Sequence, residues 1–117
     1  MIEVLNTAKD LGDNNLDVFI VFHTDDIYNG QNKVGLKPKL VGKLVEEHFD
    51  PIELATIVLM TNTRMEEGKP IYEFITNRTN IDGVTIPAKS PEEMFPLVIE
   101  NDLQLVKELI HNYYKEV

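Results

Sequence analysis

The sequence predicts an α/β fold: a small three-layer Rossmann-like or flavodoxin-like domain, whose short, mostly parallel sheet of roughly three or four strands is flanked by helices. Three observations predict it. Val18-Phe19-Ile20-Val21-Phe22 is an unbroken apolar run with the β-branched and aromatic composition of a strand covered on both faces. Leu36, Leu40, Val41, Leu44, Val45, His48 and Phe49 recur at helical spacing, as do Leu103, Val106, Leu109, Ile110 and Tyr113. Read in order, the segments alternate strand, helix, strand, helix, strand and helices, the pattern of right-handed crossovers onto a parallel sheet.

Ile2, Val4 and Leu5 allow a short first strand, and Gly12-Asp13-Asn14-Asn15 reads as a turn. After the strand at Val18 to Phe22 comes a polar loop with Asn29-Gly30 and Gly35, then a helix from about Lys37 that Asp50-Pro51 ends. The stretch "ATIVLMTNT" reads two ways. Thr56, Ile57 and Val58 are β-branched and favour a strand, whereas Asp50-Pro51-Ile52-Glu53 has the cap, proline and acid of a helix start, with Gly68 as its stop. The favoured reading is a turn at Pro51 and a strand from about Ala55 to Met60. Ile71, Phe74 and Ile75 mark a further helix, and Gly83 opens a strand at "VTIP". Ser90-Pro91-Glu92-Glu93 resembles a capped helix start leading into Met94, Phe95, Val98 and Ile99, with Pro96 awkward inside it. The last helix carries Leu103 to Tyr113.

The chain has 117 residues, is 43% hydrophobic and contains neither a repeat nor a Pro/Gly/Ser-rich linker, so residues 1–117 read as a single domain. The absence of cysteine excludes disulfides, thiolate nucleophiles and cysteine-ligated metals. Met1-Ile2-Glu3-Val4 lacks the basic start and apolar stretch of a secretion signal, and no run is long enough to cross a bilayer. A cytoplasmic location is expected. The net charge of −9 discourages direct nucleic-acid or membrane binding, although Lys33, Lys37, Lys39 and Lys43 form a locally basic stretch.

In a parallel sheet, ligands bind beyond the carboxyl ends of the strands. On the expected fold those ends are His23-Thr24-Asp25-Asp26, Thr61-Asn62-Thr63-Arg64 and Ala88-Lys89-Ser90. They nominate Thr24, Lys33, Lys37, Thr61, Asn62, Arg64, Lys89 and Ser90 as ligand-binding residues, with His23, Asp25 and Asp26 as catalytic candidates. Asp25 and Asp26 are the candidate metal ligands, and Mg²⁺, which takes one or two carboxylates plus water, is the cation they suit. Gly30 and Gly35 have the spacing of a phosphate-binding loop, but Leu36, Lys37 and Pro38 fail its Gly-Lys-Ser/Thr ending. Asp25/Asp26, Thr61 and Lys89 in "AKSPEEMF" resemble the acid pair, hydroxyl and lysine of response-regulator receiver domains. That family also needs a strand ending in aspartate between the acid pair and the hydroxyl, and none is present here.

Three functions follow as expectations. The first is a binding or regulatory module that takes a small anionic or phosphorylated ligand at the strand ends and self-associates into a homo-oligomer. The second is a small Mg²⁺-dependent hydrolase or phosphoryl-transfer enzyme built on Asp25 and Asp26. The third is an acidic protein that inhibits a basic nucleic-acid-binding partner. Nothing in the residues demands catalysis, because no Ser/His/Asp set or dedicated metal cage is legible.

Overall fold

A computed structural model describes residues 17–40 and 50–115. It overturns the α/β, Rossmann-like expectation. Among the described residues the structure is mainly β, with seven strands in two mostly antiparallel sheets and one helix longer than a single turn. The strands are β1 (Thr24–Asn29), β2 (Asn32–Pro38), β3 (Met60–Glu66), β4 (Lys69–Ile75), β5 (Thr79–Ile81), β6 (Val84–Ile86) and β7 (Val98–Glu100). The helices are α1 (Pro51–Leu54) and α2 (Leu103–Lys115). One sheet runs β1-β2-β6-β5 and the other β3-β4-β7. Among the described residues the parallel contact between strands is confined to Gly35 of β2 opposite Thr85 of β6.

Three two-residue turns account for the difference. Gly30 has φ +67 at the tip of β1–β2, the pattern of a turn with glycine in its first central position. Glu67 (φ 51) and Gly68 (φ 79) join β3 to β4, and Asp82 (φ 51) and Gly83 (φ 84) join β5 to β6. Both central residues of these two turns are left-handed, which matches the twist of the flanking strands. Each turn returns the chain antiparallel and leaves no room for a crossover helix.

Residues 18–22 form no strand, and Val18, Phe19 and Val21 lie exposed. The helix expected from Lys37 is instead the end of β2 up to Pro38, and its continuation over residues 41–49 lies outside the described residues, as do the expected elements at 1–16. At Asp50-Pro51 the helix reading holds for one turn: the Ile52 amide donates to Asp50 Oδ1 at 2.9 Å. The strand that follows starts at Met60, later than expected, after a bridge between Val58 and Lys89. Ile71, Phe74 and Ile75 belong to β4 and not to a helix. The helix expected after Ser90 does not form, because Glu93 takes φ 65 and Pro96 follows, and Val98 and Ile99 enter β7. The strand at Val84 and the final helix are present as expected.

The core lies in two parts. Phe74, Met94, Phe95, Ile99 and Val106 are buried where α2 crosses one face of the β3-β4-β7 sheet, with Leu109, Ile110 and Tyr113 packed against them. Asp102 caps α2, accepting from the amides of Gln104 at 2.9 Å and Leu105 at 3.4 Å. Ile75, Ile86 and Ala88 form the second part, with Leu36, Met60 and Val84 beside them, and join the two sheets. Thr76, fully buried, ties β4 to the loop before β7: its hydroxyl donates to Pro96 O at 2.7 Å and its amide to Leu97 O at 2.9 Å. Among the described residues no helix is long and apolar enough to cross a membrane.

Candidate functional site

The antiparallel sheets disperse the residues expected to share one strand-end hollow. His23 precedes β1, and its carbonyl accepts from the Lys39 amide at 2.8 Å. Thr24 opens β1 opposite Pro38, and Asp25 stands opposite Lys37. Asp25 and Asp26 are consecutive strand residues, so they point to opposite faces and do not converge on one ion. Asp26 is instead paired with Lys33 at 3.1 Å, both side chains well exposed. Among the described residues no group of three metal-ligating side chains comes together. Gly30 and Gly35 fall in a hairpin turn and in β2, and Val34 between them is the extra residue of a bulge. Lys89 and Ser90 lie beyond β6 and work within the fold. The Lys89 backbone bridges to Val58 at 2.8 and 2.9 Å, and the Ser90 hydroxyl donates to Thr76 O at 2.8 Å.

Besides Asp26 and Lys33, two of the nominated residues come together on β3. Asn62 and Arg64 both reach Glu73 on β4, which lies opposite Asn62 in the hairpin register. Asn62 Nδ2 donates to Glu73 Oε1 at 2.9 Å, and Arg64 Nε donates to Glu73 Oε2 at 3.0 Å. Arg64 Nη1 also donates to Glu66 Oε2 at 2.8 Å. The Glu66 carboxylate first, and then that of Glu73, hold the Arg64 guanidinium above its already high ordinary range. Glu73 is only 7% exposed, so its charge needs these donors. Thr61, the neighbour of Asn62, points to the other face of the sheet.

Glu100 of β7 completes the row. The Asn101 amide donates to Tyr72 O at 3.2 Å and the Thr76 amide to Leu97 O, which makes the intervening Glu73 and Glu100 a pair without mutual backbone hydrogen bonds. In such pairs the side chains stand closest, and like charges directly opposite each other are unfavourable. Arg64 and Asn62 satisfy Glu73, whereas Glu100 is exposed and has no cationic partner among the described residues. Arg64, Ile71, Glu73, Val98, Glu100 and Asn101 help to line an open groove of about 570 Å³ here. No family model, curated protein or solved structure matches the chain.

The groove combines the Glu73 and Glu100 carboxylates with the Arg64 guanidinium, already committed to Glu66 and Glu73, and an apolar flank. Among the described residues no serine, cysteine, histidine or lysine lines it, and both oxygens of Glu73 are already engaged. That suits capture of a cationic donor better than acid–base or nucleophilic work. Neither Glu73 nor Glu100 is legible as a site residue in the linear sequence, because their pairing depends on the register of two hairpin-built strands. Glu67-Gly68 was the available signal: read as a turn, it sets Asn62 and Arg64 beside Glu73.

Proposed function

We propose that the protein is a binding module for a basic protein segment, received in the groove over β4 and β7. The observation that carries this reading is Glu100, a carboxylate with no cationic partner among the described residues, directly opposite the buried and neutralised Glu73. A sheet gains nothing from such a pair by itself. A lysine or arginine side chain laid into the groove would pair its charged head with Glu100 and place its aliphatic stem on Ile71 and Val98. The net charge of −9 supports the same choice by steering basic partners towards the protein. This is the acidic-inhibitor expectation in broader form, in which the partner is basic but its own activity is left open. The anionic-ligand reading has less support, since Lys33 and Arg64 are each committed to carboxylates and lie on different sheets. Self-association remains a separate proposal, supported by open sheet edges.

The test is fluorescence anisotropy of a labelled Lys/Arg-rich peptide against the protein and its Glu100→Lys variant. The reading predicts binding that weakens as salt rises and falls about fivefold or more in the variant, the effect of roughly 1 kcal/mol. Binding that ignores the substitution, or no binding at low salt, would overturn it.

A further inference from the structure

We propose that β3 is the seam of a homodimer, in which two copies pair antiparallel through their β3 edges about a twofold axis at Thr63. This seam gives the proposed self-association a definite place and register and does not depend on a basic partner.

β3 is an edge strand among the described residues, and its 7 residues make it the longest edge with no proline. The backbone of Tyr72 is turned towards β7, so Ile71, Glu73 and Ile75 of β4 bond towards β3. On β3 the groups of Met60, Asn62 and Arg64 are thereby used, and those of Thr61, Thr63 and Met65 face outward. All three outward residues are exposed. An unpaired, unbulged edge of this kind is a template for strand addition unless charge or proline protects it. Here neither does, since the strand's single cation, Arg64, is matched by its single anion, Glu66. In a chain of net charge −9, that local neutrality is what a surface facing its own copy requires. The other edges are worse seams. β1 carries the Asp25/Asp26 pair, while β5 and β7 are 3 residues each.

The register follows from charge and length. A twofold centred on Thr63 pairs all seven residues, setting Thr63 against Thr63, Thr61 against Met65 of the other copy and Asn62 against Arg64 of the other copy. No like charges face each other, and Thr–Thr pairs are favourable in sheets. Centring on Arg64 would set guanidinium against guanidinium. The exposed Met65 and Tyr72, on one face near the seam, would gain apolar neighbours from the second copy.

The protein has no cysteine, so a single introduced one reports the register cleanly. In the proposed dimer the two Thr63 Cα atoms lie about 5.5 Å apart, within reach of a disulfide. The two Met65 Cα atoms would be separated by on the order of 13 Å. Sedimentation velocity over a concentration series, with oxidative cross-linking of Thr63→Cys and Met65→Cys, tests the proposal. It predicts a reversible dimer, a covalent dimer for Thr63→Cys but not for Met65→Cys, and dimerisation weakened about tenfold by Thr63→Lys, which sets like charges at the axis. Thr63→Lys should bind the basic peptide as the wild type does. A wild-type monomer throughout, with no cross-link, overturns the seam and the self-association together. A dimer that survives Thr63→Lys with Thr63→Cys uncross-linked overturns the β3 seam alone.

Discussion

Glu73 sets the chemistry of its neighbourhood because a carboxylate almost withdrawn from water needs strong donors, and Asn62 and Arg64 supply them from the adjacent strand. Arg64 also touches Glu66, but the two contacts differ in kind. Glu66 is well exposed, where an ion pair contributes little, whereas the pair with Glu73 ends on a buried group. Arg64→Met should therefore lower the urea midpoint clearly more than Glu66→Gln; equal effects would mean that Glu73 does not depend on the guanidinium. Thr76 poses the same question without charge. Its hydroxyl satisfies Pro96 O in a fully buried setting, so Thr76→Val leaves that carbonyl without its donor. The expected loss is about 1–2 kcal/mol in equilibrium denaturation, and an unchanged midpoint would contradict the assignment.

At the scale of elements, the hairpin turns decide the architecture, and their glycines are open to test. Gly83 has φ +84 with nothing within 4 Å of where a Cβ would stand, so Gly83→Ala isolates backbone strain from crowding. A cost of about 1–2 kcal/mol is expected. Glu67 presents the converse, a non-glycine residue held at φ 51 in a turn that favours asparagine. Glu67→Asn should raise the denaturation midpoint by an amount equivalent to about 0.5–1 kcal/mol. Val106 anchors α2 with 1% exposure, and Val106→Ala should cost about 2 kcal/mol.

These elements also mark where the sequence was legible. The spacing of Leu103, Val106, Leu109, Ile110 and Tyr113 has one good periodic solution, and α2 is that solution. Asp50-Pro51 carries its cap in the residue types themselves. "KPIYEFI" has no such uniqueness, because Ile71, Phe74 and Ile75 fit a helical face while Tyr72 and Phe74 alternate with Ile71, Glu73 and Ile75 as in a strand. Only Glu67-Gly68 arbitrates, and reading Gly68 as a helix stop removes the hairpin. The apolar run Val18 to Phe22 misleads in the opposite direction: composition suits a buried strand, but no described strand pairs with it. With the parallel sheet lost, the strand-end hollow went too. Asn62 and Arg64 kept a shared partner only because they alternate along one face of β3.

At the scale of the molecule, burial over the described residues is thin. Among the described residues eight hydrophobic side chains are buried and twelve large ones are exposed, including Met65, Tyr72 and Val98 near the groove and the β3 edge. A chain with so divided a core gains stability from whatever covers those surfaces. On the proposed reading, the excess of acid over base would steer a basic partner from long range, and the groove beside Glu100 would seat it. Both contributions predict the same salt dependence, but only the second predicts a location. The direct measurement is an NMR titration of ¹⁵N-labelled protein with the basic peptide, following amide shifts residue by residue. The account predicts that the largest saturable changes fall at Ile71, Glu73, Glu100 and Asn101; changes concentrated on the Asp25/Asp26 hairpin, or spread evenly over acidic residues, would contradict it.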